Sequence, residues 1–312
     1  MRRGWKIAIG AVAALVVVLV VNALFVDGET KSAAVTVPGG RILDLPGGKV
    51  QVLELGPRDG APIVLIHCYT CAIDWWDGML PALSRRHRVV AIDLRGHGGS
   101  EKPESGYSMA AQGDLVGQAL RRLHVRAATV VGHSLGATVT GALVEAAPED
   151  VKRIVIIDQA PDNDHFGSGL PFTAALTYLP VLGPALWQVT PDFAVKDGLG
   201  VAFAPGYEVP DRFVTDLNRM TYNSFSETPQ EETDYVNEES LDRRVAASGR
   251  PLLAIFGKED QIFNSEKALA AYAKVPGAET AEVPGAGHSP NVEKPAATAR
   301  LVLKFAKTPA GP

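Results

Sequence analysis

The stretch Thr129-Val130-Val131-Gly132-His133-Ser134-Leu135-Gly136-Ala137-Thr138-Val139 decides how this sequence folds. It runs from β-branched apolar residues, through a turn that contains two glycines, into residues of helical composition. A G-x-S-x-G sequence in this context predicts a tight strand–turn–helix that exposes the hydroxyl of Ser134 at a helix N-terminus. The glycines on either side of the turn would avoid clashes with neighbouring strands. Ser134 is therefore the candidate nucleophile.

On both sides of this turn, apolar runs of strand length alternate with helical patterns. The predicted strands are residues 49–55, 63–66, 89–92, 129–131, 154–157 and 252–256. The predicted helices are residues 108–123, 137–147, 265–273 and 295–305. Strands without polar positions are typical of a sheet that is covered on both faces. The pattern predicts an α/β fold with a mostly parallel, doubly wound sheet.

One segment interrupts this alternation. Residues 162–248 separate two predicted strands by far more than an ordinary connection, and they contain aromatic, helical stretches divided by Pro and Gly. We interpret this segment as an inserted helical lid. The core would then comprise residues 41–161 and 249–307, followed by a short tail at 308–312.

The N-terminal region is apolar enough to cross a membrane. Residues 7–26 contain no charge, and Asn22 is their only strongly polar residue. As a helix they would be about 30 Å long, the thickness of a bilayer core. The basic residues at positions 2, 3 and 6 predict a cytoplasmic tail at 1–6, a transmembrane signal anchor at 7–26, a linker at 27–40 and an extracytoplasmic domain beyond it. The alternative is a cleaved signal peptide and a secreted protein.

Composition excludes several classes of protein. Of the 312 residues, 46% are hydrophobic and 21% are charged, which is incompatible with a mainly disordered chain. The net charge of -5 and the lack of a basic run exclude a typical nucleic-acid binder. Two cysteines are too few for a disulfide scaffold or a structural zinc site. No nucleotide-binding loop is present, so we expect neither a cofactor nor a metal.

Three further motifs lie before and after the Ser134 turn in the sequence. They are Ile63-Val64-Leu65-Ile66-His67, Asp93-Leu94-Arg95-Gly96-His97-Gly98-Gly99-Ser100 and Gly285-Ala286-Gly287-His288. With the turn they resemble the α/β-hydrolase fold superfamily over about residues 41–307. The resemblance is strongest to its lidded serine hydrolases, such as esterases and lipases.

This resemblance implies cleavage of a carboxylic ester or related acyl bond, in an apolar small molecule or lipid, through an acyl-enzyme intermediate. C–C bond hydrolysis and cofactor-free perhydrolysis use the same triad and are alternatives. An alternative of another class is a non-catalytic, membrane-anchored binding module.

A serine nucleophile needs an imidazole base, which an acid must hold in the correct tautomer. Of the seven histidines, His288 lies on a glycine-rich loop after the last strand and is the candidate base. The resemblance places the acid at Asp260, after the strand at 252–256. Asp158, after the strand at 154–157, is the alternative acid.

The oxyanion of the intermediate needs backbone donors, for which the resemblance indicates the N–H groups of Leu135 and Cys68. Related sequences commonly have Gly at the second position, so a cysteine side chain would narrow the space beside Ser134. We expect Cys68 and Cys71 to be small apolar fillers rather than a redox pair. The candidate substrate-pocket residues are Tyr69, Trp75, Trp76 and Trp187.

Overall fold

The computed structural model describes residues 2–167 and 175–307, so the tail at 308–312 and part of the expected lid lie outside the described residues. The described strands form an eight-stranded sheet in the order β1-β2-β4-β3-β5-β6-β7-β8. They are β1 Arg41–Leu45, β2 Gly48–Leu55, β3 Pro62–Ile66, β4 Arg88–Ile92, β5 Ala128–His133, β6 Val151–Ile157, β7 Leu252–Gly257 and β8 Glu279–Val283. From β4 to β8 neighbouring strands are parallel, whereas β2 pairs antiparallel with β1 and β4. The predicted fold class is confirmed.

All six predicted strands are present, as β2 to β7, with bounds that differ by a few residues. The sequence analysis missed β1 and β8, the two edges of the sheet. β8 has the sequence Glu-Thr-Ala-Glu-Val, and only its last residue, Val283, is buried. A strand that buries one residue lacks the apolar run on which the prediction relied.

The described helices flank this sheet and connect its strands. They are α1 Arg2–Asp27, α2 Leu80–Leu83, α3 Met109–Arg122, α4 Leu135–Ala146, α5 Leu182–Val189, α6 Asp192–Leu199, α7 Asp211–Asn218, α8 Tyr222–Glu238, α9 Leu241–Ala247, α10 Ser265–Tyr272, α11 Pro290–Glu293 and α12 Pro295–Lys307. The Ser108 side chain caps α3 by accepting a hydrogen bond of 3.3 Å from the N–H of Ala111. Each of the four predicted helices is present.

Both faces of the sheet are covered, as a doubly wound fold requires. On one face, α3, α4, α9 and α10 pack on alternate residues of the strands, with Val64, Val130 and Ile154 buried among them. On the other face, α2 and α12 pack on the intervening residues, such as Leu65 and Val155. Because successive side chains of a strand point to opposite faces, this arrangement explains the unbroken apolar runs in the sequence.

The segment between β6 and β7 forms a second layer over the carboxyl edge of the sheet. We call its described residues, 162–167 and 175–248, the lid; they include α5 to α9. The Trp75 ring stacks on Phe213 of the lid at 3.9 Å between centroids and also packs near Phe203. These contacts hold the lid against the loop that follows β3.

α1 differs from the other helices because it is mostly exposed. Within it, Ile7–Asp27 has a mean hydropathy of 2.9 and only 11% of the window is buried. By length and composition it is the one helix among the described residues able to cross a membrane. Its C-terminal end packs against α5 and α8 of the lid. An apolar helix so little covered is unlike the core helix of a globular domain.

Candidate active site

The Ser134 turn has the strained geometry that the sequence predicts. Ser134 lies between β5 and α4 with φ 49° and ψ −123°, a conformation that costs energy for any residue with a side chain. Its N–H donates a hydrogen bond of 2.8 Å to the carbonyl of Ile157, which fixes the turn to β6. A Cβ at Gly136 would overlap the carbonyl oxygens of Ile66 and His67. The first turn of α4 therefore needs glycine there to pass over the end of β3.

His288 and Asp260 are brought together by the loops after β8 and β7. Nδ1 of His288 lies 3.0 Å from Oδ2 of Asp260, and both side chains are buried. The other carboxylate oxygen of Asp260 accepts hydrogen bonds from the N–H groups of Ile262 (2.7 Å) and Phe263 (3.2 Å). Two backbone donors thus hold the carboxylate in place. With the Nδ1–H donating to Asp260, Nε2 of His288 is left to accept a proton.

A second contact joins the His288 loop to the Ser134 turn. Nε2 of His133, the residue before Ser134, donates a hydrogen bond of 2.7 Å to the carbonyl of His288. Burial lowers the pKa of His133 well below its usual value, so the ring is neutral. The backbone of the candidate base is therefore tied directly to the turn of the candidate nucleophile.

Asp158 follows β6 and is completely buried, with a φ of 45°. Its Oδ1 accepts a hydrogen bond of 2.8 Å from the N–H of Gly257. Burial, and then the nearby charge of Asp260, raise the pKa of Asp158 well above its usual value. The raised pKa favours the neutral acid form of Asp158, whereas orienting an imidazolium requires a carboxylate. This arrangement favours Asp260 over Asp158 as the acid.

Asp158, Asp260 and His288 each have a ligand-type atom within 4.8 Å of the others. Two carboxyl groups and an imidazole could ligate a divalent cation. Here the Nδ1–H of His288 donates to Asp260, and Oδ1 of Asp158 accepts from the N–H of Gly257, so these atoms already have hydrogen-bond partners. The residues fit a hydrogen-bonded triad better than a metal centre.

The loop after β3 is held by buried hydrogen bonds. Nδ1 of His67 donates to the carbonyl of Cys68 (2.8 Å), and Nε2 accepts from the N–H of Leu94 (3.0 Å). Burial lowers the pKa of His67 to about 4, so its ring stays neutral and can both donate and accept. His67 thereby fixes the backbone next to Cys68, one of the candidate oxyanion donors.

The Asp93 carboxylate, in the motif at residues 93–100, holds two loops of the site together. Asp93 directly follows β4 and accepts hydrogen bonds from the N–H groups of Ile73 (2.8 Å) and Gly99 (2.7 Å). It thereby connects the segment after the Cys68 loop to the loop after β4. Asp93 is a structural residue of the site rather than a group facing substrate, because it is fully buried.

The expectation that the two cysteines are separate apolar fillers is wrong. Cys68 and Cys71 form a disulfide across the loop, with their Cα atoms 5.2 Å apart. The left-handed residue of this loop is Thr70, with a φ of 61°. The number of cysteines argues only against a scaffold built on disulfides. It cannot reveal a single bridge within one tight turn. The disulfide closes the loop that carries a candidate oxyanion donor.

The four aromatic residues expected in the substrate pocket have different surroundings. Trp76 is completely buried in the core beneath the sheet, so it does not line a pocket. Trp75 is also buried and packs between loop and lid, with Nε1 donating to Asp216 at 3.2 Å. Tyr69 is half-buried beside the lid, where its hydroxyl donates to the carbonyl of Phe225 at 2.5 Å. Trp187 lies beside the end of α1. The two buried tryptophans differ from the expectation for the same reason. They are adjacent in a short helix, so Trp76 faces the core and Trp75 faces the lid.

The sequence analysis missed a polar residue of the site, Glu232 on α8. Its Oε1 accepts a hydrogen bond of 2.7 Å from the hydroxyl of Thr138, which lies one turn after Ser134 on α4. Burial raises the pKa of Glu232 from 4.5 to about 7, and the nearby His288 acts in the opposite direction. No local motif marks such a residue, because it reaches the site only through the packing of the lid.

Glu293 is a second residue that no motif revealed. Its two carboxylate oxygens accept hydrogen bonds from the N–H of Gly287 (2.9 Å) and from the N–H of Ala204 in the lid (2.8 Å). It thus ties the residue before His288 to the lid.

Comparison with known proteins agrees with the fold. The family model of the alpha/beta hydrolase fold matches residues 61–295, so the chain belongs to the α/β-hydrolase fold family. Its relatives include an uncharacterized protein of Mycobacterium tuberculosis, 29% identical over 262 residues, which cover 80% of this chain and 76% of the relative. A non-heme chloroperoxidase of Streptomyces lividans is 34% identical over 138 residues, 42% of this chain and 50% of that protein.

Among solved structures, an esterase from Exiguobacterium antarcticum superposes with a TM-score of 0.73. The match covers 86% of this chain and all of the esterase, at 18% identity. Such low identity establishes the shared fold alone. The homologous proteins support hydrolase activity as the general function.

Proposed function

We propose that this protein is a serine hydrolase that cleaves a carboxylic ester or related acyl bond through an acyl-enzyme intermediate. Ser134 is the nucleophile, His288 the base and Asp260 the acid. The observation that carries the proposal is the hydrogen bond of 3.0 Å between His288 and a carboxylate fixed by two backbone donors, beside a strained serine turn. An unpaired surface histidine would have neither the orientation nor the neighbour that nucleophilic catalysis needs.

In the acylation step, Nε2 of His288 accepts the proton of the Ser134 hydroxyl as Oγ bonds to the carbonyl carbon of the substrate. The charge that develops on the carbonyl oxygen is stabilised by the N–H groups of Leu135 and Cys68. Leu135 is suited to this because it begins α4, and the first N–H groups of a helix lack partners within it. His288 then gives its proton to the leaving alkoxide, the C–O bond breaks, and an alcohol departs.

In the deacylation step, His288 removes a proton from a water molecule, whose oxygen attacks the acyl carbon. The bond to Ser134 then breaks, and the serine oxygen recovers the proton from His288. A carboxylic acid is released. Throughout, Asp260 keeps its negative charge and holds the Nδ1–H of the imidazole.

Labelling with a fluorophosphonate probe tests this proposal. An activated Ser134 should react covalently in the native protein, and Ser134→Ala should abolish the labelling. Thr140→Val, which removes a buried hydroxyl of α4 that donates to the carbonyl of Gly136, is the matched control and should still be labelled. Absence of labelling in the native, folded protein would refute the assignment and favour a non-catalytic binding module.

We also propose that the domain is extracytoplasmic and anchored by α1. The support is the apolar, mostly exposed segment Ile7–Asp27 and the basic residues that precede it in the sequence. Protease added outside intact spheroplasts should digest the catalytic domain. Protection until lysis would refute this orientation, while release of a shortened protein without extraction by detergent would indicate a cleaved signal sequence.

A further inference from the structure

The C-terminal end of the proposed anchor contacts the catalytic domain. Along its last turns Leu19, Asn22, Ala23 and Val26 are less exposed than the residues between them, and Val26 is only 3% exposed. Their spacing of three or four residues forms one stripe of the helix. α1 packs on α5 and α8 of the lid, and Asn223 of α8 donates a hydrogen bond to the carbonyl of Asp27. The anchor and lid are therefore joined.

The length of the anchor fixes how deep this contact lies. The segment Ile7–Asp27 has 21 residues, which as a helix reach about 30 Å, just the thickness of the hydrocarbon core. All of the segment is needed to cross the bilayer, and tilting would only draw it further in. The stripe from Leu19 to Val26 extends about 10 Å down from its outer end. Whatever packs on this stripe lies at the level of the outer leaflet.

The part of the lid at this level has the surface expected of a membrane contact. Leu182 and Val189 of α5 are 38% and 73% exposed, and Phe193, in the next helix, is 77% exposed. Neither α5 nor the short connection to α6 contains a charged residue before Asp192. Three large apolar side chains left in water would each lose the free energy of burial, about 1.5 to 3 kcal/mol per side chain.

A groove lies between the anchor and the lid. Its volume is about 600 Å³, and it is lined by Phe25, Val26, Glu29, Lys31, Trp187 and Gln188. The ring centroids of Trp187 and Phe225 are 4.8 Å apart, and those of Phe225 and Tyr69 are 5.8 Å apart. Tyr69 follows Cys68 directly. A continuous set of aromatic rings thus joins the groove to the loop with the candidate oxyanion donor.

We infer that the lid face with Leu182, Val189 and Phe193 docks into the outer leaflet, and that acyl lipids of this leaflet reach Ser134 through the groove beside Trp187. The inference rests on the proposed function for its second half, because it names the substrate class of that site. An acyl lipid has the long apolar chain that the aromatic set accommodates and an ester bond that Ser134 attacks. It would not need to leave the bilayer fully before it meets the enzyme.

Fluorescence of the full-length protein in phosphatidylcholine vesicles tests the docking without any assay of activity. We expect lipid brominated in the acyl chain near the glycerol to quench the emission that is lost on Trp187→Phe substitution. Val189→Asp together with Phe193→Asp should reduce this quenching. If brominated lipid does not quench the emission of Trp187, the docking of the lid into the outer leaflet is overturned. This outcome does not depend on whether the protein is an enzyme.

A comparison of two substrates tests the entry route. With a long-chain ester embedded in vesicles, the Val189→Asp and Phe193→Asp protein should be slower by about tenfold, because carboxylates resist insertion. With a soluble short-chain ester the rate should stay within about twofold, since neither residue touches the triad. The same pair of rates reports any loss of folding, which would lower both.

The matched control is Leu55→Asp, which places a carboxylate on an exposed apolar residue, 36% exposed, at the sheet edge opposite the lid. Leu55 pairs with Val89 at the start of β4, whereas the lid covers the carboxyl ends of the strands. It should leave both rates unchanged. An unchanged rate of the Val189→Asp and Phe193→Asp protein on the vesicle ester would overturn the entry route; no hydrolysis of any ester by the unaltered protein would refute the proposed function itself.

Discussion

Thr138 and Glu232 join the two layers of the candidate site: the hydroxyl of Thr138 donates a hydrogen bond of 2.7 Å to Oε1 of Glu232. Thr138 belongs to the helix that begins after Ser134, and Glu232 belongs to the lid. The Glu232 carboxyl group therefore lies beside α4, close enough to His288 for the charges of the two groups to interact. Because its pKa is about 7, its charge changes within the physiological range.

Glu232→Gln should change how stability depends on pH. The pKa of Glu232 rises from 4.5 to about 7 on folding, so the folded protein binds more protons than the unfolded chain between these values. Stability must fall as the pH rises through this window and stay reduced above it. Glutamine has no charge to bury, so the variant should be more stable than the native protein at pH 8, by at most about 3 kcal/mol, with little difference at pH 4.

Thermal unfolding across this pH range measures the effect. Asp234→Asn is the control, because Asp234 is an exposed acid on the same helix. Its unfolding temperature should follow that of the native protein. A constant difference between Glu232→Gln and the native protein at every pH would show that Glu232 does not titrate in this window.

The two buried acids beside His288 should differ sharply in their effect on catalysis. Asp260→Asn removes the carboxylate that orients His288 and should lower kcat by about three to four orders of magnitude. Asp158→Asn removes a carboxyl group whose raised pKa favours its neutral form, and it keeps an oxygen for the N–H of Gly257. It should change kcat by less than about threefold.

Steady-state kinetics on a soluble ester compares these two variants with Ser134→Ala and His288→Ala, which should be as defective as Asp260→Asn because the triad acts as a unit. If Asp158→Asn were more damaging than Asp260→Asn, Asp158 at the end of β6 would be the acid instead.

Much of this site could be anticipated because its residues follow strands. Cys68, Ser134, Asp158, Asp260 and His288 come after β3, β5, β6, β7 and β8, and the carboxyl ends of parallel strands meet at one edge of a sheet. Periodicity and the Ser134 turn predicted the strands that precede Ser134, Asp158 and Asp260, whereas β8 was not predicted and the roles of Asp260 and Cys68 came from the family resemblance. Periodicity and the turn could not predict how the lid lies on this edge of the sheet.

Three features depended on packing that has no local signal. Glu232 reaches the site from a helix about 100 residues after Ser134 in the chain. Trp75 and Trp76 are neighbours with the same local preference, yet they lie in different layers. The position of the anchor beside α5 joins segments that are far apart in the sequence.

Cleavage of the Cys68–Cys71 disulfide should affect turnover more than stability. The bridge closes a loop of only a few residues, so it removes little entropy from the unfolded chain. It does constrain the backbone of Cys68, one of the two candidate oxyanion donors, and loss of one such donor costs about 100-fold or more in kcat. We expect Cys71→Ser to lower kcat by about tenfold or more while the unfolding temperature changes little.

A thiol reductant should reproduce this loss in the native protein and have no further effect on Cys71→Ser, which serves as the control. Each reduction consumes two electrons and two protons and leaves two thiols. An unchanged kcat after complete reduction, verified by thiol titration, would show that the bridge does not position the oxyanion donor.

The last prediction concerns acyl chain length. The ring of Phe225 in the lid packs against those of Tyr178, Trp187 and Tyr69, the last of which is beside the candidate oxyanion donor, so we expect the acyl chain to meet an apolar surface. Each methylene buried there contributes about 0.8 kcal/mol, so kcat/KM for p-nitrophenyl esters should rise from acetate towards medium chains until the cleft is full. The Glu232 carboxylate should disfavour acyl groups that end in a carboxylate, above pH 7 most of all. Glu232→Gln should relieve that penalty and leave the rates for neutral acyl chains nearly unchanged. Activity confined to acetate would show that these rings close the cleft rather than line it, and an equal preference for charged acyl groups in both proteins would remove Glu232 from the acyl site.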